Sequence, residues 1–333
     1  MKITFFSAKQ YDREYFDQYN KDYNFNLEYV PKTLNERRAT NMEPSEAICA
    51  FVNDVINADV IKILAEKQGV KYIAMRCAGF NNVDLDAAKK YNIKVCRVPA
   101  YSPECVAEHA VALLLTLSRK IHKAYYRILS QNFALDGLIG DSIHNKTVGV
   151  LGTGKIGKNF AKIMYGFGCK VLGYDVFESP DFKKNGGEYV TKEELLKRAD
   201  IIALFLPLLP ETRYIINKET IKTLKKGVVI INTGRGGLVN TEDLIDGIMS
   251  EHIGGFGADV YENEGVLFFK DLSEQIIPDK KFKLLTSLPN VLLTGHQAFL
   301  TKEALSQIAS CILLNLDEFK KGKELSTPGA FLA

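Results

Sequence analysis

The sequence predicts an α/β protein with two doubly wound parallel-sheet domains. Three observations lead there. Short apolar runs alternate with helical patterns through the first hundred residues. A second such series opens near residue 147 and carries the glycine fingerprint GTGKIG at 152–157. The length of 333 residues and hydrophobic content of 46% suit about two domains, each with its own core.

In the first series the expected strands are KITFFS (2–7), NLEYV (26–30), AICAFV (47–52), KYIAMR (71–76) and IKVCRV (93–98), with helical stretches around 57–68 and 85–92. Two prolines in VPAYSPE (98–104) then break the pattern. Ser102 and Pro103 read as the cap and first turn of one long helix through ECVAEHAVALLLTLSRKIHKAYYRI. LSQNFALDGLIGDSIHNK reads as an irregular surface loop or arm. The second series has strands TVGVLG (147–152), KVLGYD (170–175), IIALFLP (201–207), GVVIINT (227–233), IGGFGADV (253–260) and NVLLTGH (290–296), separated by helices such as 191–198 and 241–251. A last helical stretch (301–322) lies beyond the series. Packed back on the first domain, it would make that domain discontinuous.

Composition excludes several classes. With 43 basic and 40 acidic residues, the net charge of +3 gives no electrostatic ground for nucleic acid or acidic lipid as a partner. The run Lys222, Lys225, Lys226 reads as a solvated helix end. Six cysteines, at 49, 77, 96, 105, 169 and 311, form no CxxC pair and lie near no histidine at metal-ligand spacing. No metal site is expected, and reduced core thiols point to a reducing compartment. The N-terminus is too charged for a signal peptide, and AVALLLTL falls short of a membrane span. A cytoplasmic location is the expectation.

The fingerprint alone is a weak signal; its context makes it strong. It follows the strand TVGVLG and opens a helix with apolar Phe160, Ile163, Met164 and Phe167 at 3–4 spacing. Gly152 allows the tight turn, Gly154 lets backbone amides approach a pyrophosphate, and Gly157 lets helix and strand pack closely. The helix N-terminus offers unpaired N–H donors to phosphate. Asp175 ends the next strand, where a carboxylate can accept both ribose hydroxyls and repel a 2′-phosphate. No arginine follows it, so the expected cofactor is NAD rather than NADP.

Three further residues sit just past strand ends, where ligands bind in such sheets. Arg235 lies in NTGRGG, Glu264 in DVYENEG, and His296 ends NVLLTGH. Singly, these read as a surface cation, a solvated carboxylate and a structural histidine. Together, after a dinucleotide fingerprint, they read as reaction machinery. Arg235 offers a planar fork to a carboxylate. His296 can give a proton to a carbonyl oxygen that gains charge as hydride arrives. Glu264 can orient and stabilise its imidazolium.

Over nearly its whole length the chain resembles the D-isomer-specific 2-hydroxyacid dehydrogenases, closest to those acting on D-lactate. The resemblance rests on MRCAGFNNVDLDAAKKYNIKVCRVPAYSPECVAEHA, GTGKIG, INTGRGGLV, DVYENE and LLTGHQAFLT. It implies a Rossmann NAD-binding domain (101–298) inserted in a discontinuous flavodoxin-like substrate domain (1–100 and 299–333). It also implies reversible hydride transfer between NADH and pyruvate, giving D-lactate. Arg235 would bind the substrate carboxylate, His296 act as acid/base and Glu264 partner it. The backbone at Ala78 and Gly79, with Tyr101, would help hold the substrate, and Phe299 would lie near its methyl end. Lys155, Ile156, Leu206, Pro207, Thr212, Thr233, Gly234 and Asp259 would lie along the cofactor, as would Arg235. A closing cleft is expected, with hinges near Pro99–Tyr101 and Gln297–Thr301, and a homodimer or homotetramer with 119–146 as a dimer arm.

One departure stands out. The family commonly reads Asn-Thr-Ser-Arg where this chain has Asn232, Thr233, Gly234 and Arg235, which suggests extra backbone freedom beside the arginine. Two alternatives remain open. One is a dehydrogenase for a larger 2-keto acid, although bulky Tyr101 and Phe299 favour a small pocket. The other is a non-catalytic NAD-sensing protein resembling corepressors of this fold, against which the full Arg235–Glu264–His296 set argues. A formate-oxidising relative would carry glutamine where Glu264 stands.

Overall fold

A computed structural model describes residues 1–333. The chain divides into one unit of Met1–Ser102 with Phe299–Ala333 and a second of Pro103–Ala298. No helix is long and apolar enough to cross a membrane.

In the first unit, five strands form one parallel sheet: β1 (Lys2–Phe5), β2 (Asn26–Tyr29), β3 (Ala47–Ala50), β4 (Tyr72–Met75) and β5 (Lys94–Arg97). Their order is β2-β1-β3-β4-β5, the flavodoxin-like arrangement. β3 is buried at every residue, as a strand covered on both faces must be. The C-terminal segment belongs to this unit. Its helix Lys302–Lys320 stacks Phe319 on Tyr72 of β4, with ring centroids 5.4 Å apart. The last residues add an antiparallel bridge to the open edge, where Val95 N donates to Ala333 O and Arg97 N to Ala330 O. Directly after β4, Arg76 forms a buried ion pair with Asp12 at 3.1 Å.

In the second unit, seven parallel strands run in the order β12-β11-β10-β9-β6-β7-β8. They are β6 (Thr147–Leu151), β7 (Lys170–Tyr174), β8 (Gly187–Tyr189), β9 (Ile201–Leu204), β10 (Val228–Asn232), β11 (Ile253–Ala258) and β12 (Val291–Leu293). Counted within the unit, the first six strands have the Rossmann order, with the switch point between β6 and β9. The edge strand β8 was not expected from the sequence, and three residues give no periodicity to read.

The expected single helix after Pro103 is in fact two, Pro103–Ser118 and Ile121–Leu129. Lys120 takes a left-handed conformation (φ 52°) between them. The carbonyl of Ser118, which a continued helix would use, instead accepts Asp141 N at 2.9 Å. A tertiary partner thus replaces the next helical turn. Residues 130–146 carry no regular element, as expected of an arm.

Candidate active site

The switch point builds the cofactor end of the site. Gly152 (φ 95°) turns the chain out of β6, and a Cβ there would lie 2.8 Å from the backbone of Phe205. A Cβ on Gly157 would sit 1.9 Å from Gly152 O, so helix Lys155–Gly166 can approach β6 only with glycine there. Gly154 begins that helix with no side-chain cap, and open space surrounds the place of its missing Cβ. The uncapped first-turn amides therefore face a space that a phosphate fits. Lys155 is exposed and Ile156 half-buried on the same turn.

Asp175 follows β7 and is half-buried. Its Oδ2 accepts Thr153 N at 2.6 Å and its Oδ1 accepts Phe177 N at 3.2 Å, which fixes the carboxylate beside the glycine turn. After β9, Leu206 is buried and Pro207 exposed. The Thr212 hydroxyl donates to Pro207 O at 2.6 Å and accepts Leu209 N, tying this loop down. After β10, Thr233 Oγ1 is buried with no hydrogen-bond partner. A buried orphan hydroxyl is costly unless a ligand satisfies it. The uncapped helix, the fixed Asp175 and this hydroxyl fit NAD.

Asn232, a residue the sequence did not single out, organises the Arg235 loop. Its buried side chain accepts Gly234 N at 3.1 Å and donates to Arg235 O at 2.9 Å. Arg235 forms no ion pair; its side chain donates only to Gly234 O, at 2.8 Å. Gly234 does not use a left-handed conformation, so the freedom suggested by its identity is not what the site exploits. A Cβ there would stand 3.0 Å from Leu204 O, so its smallness relieves a tight approach instead.

After β11, the loop 259–266 carries Glu264. A Cβ on Gly236 would fall 2.1 Å from the carbonyl carbon of Tyr261, so this loop and the Arg235 loop pack against each other. Glu264 Oε2 accepts Tyr261 N at 3.1 Å. Its Oε1 meets His296 Nδ1 at 2.9 Å, with both side chains about one-fifth exposed. Nδ1 is thereby committed, and Nε2 is the ring nitrogen available to a substrate oxygen. His296 itself is left-handed (φ 56°), a conformation that costs a non-glycine residue about 1–2 kcal/mol.

Asp259 offsets that cost. Its carbonyl accepts His296 N at 2.8 Å. Its buried carboxylate accepts Thr294 Oγ1 at 2.5 Å, Gln297 N at 2.8 Å and Ala298 N at 2.8 Å. Burial pushes its pKa up, but the hydrogen bonds outweigh this and hold it below the ordinary carboxylate value.

In the first unit, Ala78 O accepts Arg97 Nη1 at 2.9 Å and Gly79 O accepts the Cys77 thiol at 3.2 Å. Tyr101 meets Phe299 edge-on at 6.2 Å, and Phe51 packs on Phe299 at 5.7 Å. Phe51, which the sequence reading does not single out, directly follows β3.

Comparison with known proteins agrees with this architecture. Residues 111–298 match the family model described as "D-isomer specific 2-hydroxyacid dehydrogenase, NAD binding domain". A 2-hydroxyacid dehydrogenase homolog of Zymomonas mobilis is 48% identical, covering 98% of each chain. The D-lactate dehydrogenase of Escherichia coli is 47% identical, covering 97% of this chain and 98% of its own. The structure of the D-lactate dehydrogenase of Aquifex aeolicus complexed with NAD and lactic acid aligns with a TM-score of 0.86 at 34% identity, over 99% of this chain and 98% of that one. The fold and site define an NAD-dependent oxidoreductase. The chain belongs to the D-isomer-specific 2-hydroxyacid dehydrogenase family.

Proposed function

We propose that the protein reduces pyruvate to D-lactate with NADH, reversibly. The observation that carries this reading is the His296–Glu264 pair at 2.9 Å, alongside an arginine that no carboxylate neutralises. Arg235 binds the substrate carboxylate through its planar fork. His296, held by Glu264 at Nδ1, gives its Nε2 proton to the carbonyl oxygen as that oxygen gains charge. NADH, when bound, supplies the hydride. In the other direction, neutral His296 takes the hydroxyl proton and Arg235 keeps the same hold. Gly152, Gly154, Lys155, Ile156, Gly157, Asp175, Leu206, Pro207, Thr212, Thr233, Gly234 and Asp259 form the cofactor side. Ala78, Gly79, Tyr101 and Phe299 are further substrate contacts.

The ring cluster of Phe51, Tyr101 and Phe299 favours a small 2-keto acid. A panel of 2-keto acids of rising chain length, assayed by NADH oxidation, tests this. Pyruvate should give the highest kcat/KM, and a preference for longer chains would refute the substrate assignment. The names of the E. coli and A. aeolicus relatives support lactate as the product. A homo-oligomer is also part of the reading. Helix Ile121–Leu129 and the arm after it leave Tyr126, Phe133, Leu135 and Ile139 more than two-thirds exposed, an apolar patch suited to a second copy.

A further inference from the structure

The helix Pro103–Ser118 carries a second histidine beside the turn that presents His296. His109 Nε2 lies 2.9 Å from Thr294 Oγ1 and 3.5 Å from Asp259 Oδ1. Thr294 has one proton, and at 2.5 Å it goes to Asp259 Oδ1. The hydrogen between His109 and Thr294 must therefore come from the histidine, which fixes Nε2 as protonated. The result is a directed chain: His109 donates to Thr294, and Thr294 donates to Asp259. Asp259 then collects Gln297 N and Ala298 N on its carboxylate and His296 N on its carbonyl. Every bond in the chain converges on the left-handed turn at His296.

We propose that His109 is a positioning residue, which holds Thr294 and Asp259 so that the His296 turn keeps its reactive geometry. The role rests on the reading of His296 as proton donor. It assigns His109 no contact with substrate. Two titratable residues meet Asp259 directly: His109, from the helix Pro103–Ser118, whose Nε2 lies 3.5 Å from its carboxylate, and His296, from the turn after β12, whose backbone N donates to its carbonyl. His109 Nε2, 3.5 Å from Asp259 Oδ1, is among the groups that hold the Asp259 carboxyl below its ordinary value. Without it, the carboxyl should take up a proton at a higher pH, and a protonated Asp259 can no longer accept from all its donors.

The test is a pyruvate kcat and kcat/KM profile against pH for wild type, His109→Gln, His109→Leu, Thr294→Val, the His109→Leu/Thr294→Val double variant and His296→Gln. His109→Leu should lower kcat about tenfold near neutral pH, short of the roughly hundredfold that an ångström of misplacement costs. KM for NADH should change less than kcat. His109→Leu should also gain an acid limb that wild type lacks over the same range, as Asp259 protonates. His109→Gln, whose amide can donate from nearly the same place, should recover most of both losses. Thr294→Val should reproduce the acid limb. The double variant should be no worse than the poorer single, as expected for residues acting in one chain. A His109→Leu enzyme with wild-type kcat and pH profile would overturn the inference, as would a His109→Gln enzyme as damaged as His109→Leu. If His296→Gln is inactive beside a wild-type-like His109→Leu, this inference alone fails. A fully active His296→Gln removes the reading of His296, and this role with it.

Discussion

Replacing Arg235 by lysine isolates the proposed carboxylate clamp, because the structure gives the native side chain little other work. Its single side-chain bond runs to Gly234 O at 2.8 Å, and it forms no ion pair. The loop around it is held by Asn232, through the backbone of residues 234 and 235. Arg235→Lys should therefore leave Tm within a degree or two, as about ±0.5 kcal/mol is usual away from buried features. Lysine keeps the charge but offers a point contact where the guanidinium offers two parallel bonds. The loss is about one charge-assisted hydrogen bond, roughly 1.5–3 kcal/mol. In kcat/KM for pyruvate that is about a 10- to 150-fold loss. The larger share should fall on KM, with kcat also reduced where carbonyl polarisation depends on the fork. Initial rates of NADH oxidation across a pyruvate series give both constants, and a melting curve checks the fold. Unchanged pyruvate kinetics would refute the clamp. A loss accompanied by a large drop in Tm would assign Arg235 to structure instead.

Three further outcomes follow from the same geometry. Asp175→Ala should lower efficiency with NADH and improve it relatively with NADPH, since the carboxylate beside Thr153 no longer repels a 2′-phosphate; a wild type that uses both equally would refute this. Asp259→Asn should unfold at lower urea concentration near neutral pH, because an amide cannot accept Thr294, Gln297 and Ala298 together. The folded pKa of Asp259 is depressed, so its stabilisation is present above the unfolded carboxylate value and is lost as pH falls through the folded one; the gap between wild type and variant should close toward acid pH, and a constant gap would contradict the assignment. Leu135→Asp together with Ile139→Asp should lower the molar mass seen by light scattering without unfolding the chain, whereas an unchanged mass would clear this face of any role in assembly.

Much of this architecture was legible because it is written in local pattern. The short apolar runs AICA and YIAM, alternating with helical patterns, read as covered strands, and the glycines at 152 and 157 carry steric demands that no other residue meets. Strand ends alone placed Arg235, Glu264 and His296 past the strands β10, β11 and β12, which the structure shows to be neighbours. What was hidden depends on partners distant in sequence. The helix break at Lys120 is made by Asp141, which takes the Ser118 carbonyl, while local propensity favours continuation. The closing of the first sheet by residues 330–333 comes from backbone bonds that no side-chain period reveals. Phe51 and Asn232 look like an ordinary core phenylalanine and a strand-end amide until their contacts with Phe299 and the Arg235 loop are seen. The family resemblance put Asp259 beside the cofactor, but only the structure shows its carboxylate gathering the turn at His296.

The central claim is that His296 supplies the proton that makes D-lactate. The most direct measurement incubates purified wild-type and His296→Gln protein with NADH and pyruvate, follows turnover, and resolves the product by chiral chromatography. Wild type should form D-lactate in step with the NADH consumed. His296→Gln should lose at least about a hundredfold in kcat, the usual contribution of a positioned acid, while its affinity for NADH, read by fluorescence titration, stays close to wild type. L-lactate as product, no turnover of pyruvate by wild type, or a His296→Gln enzyme that keeps its rate would each contradict the account.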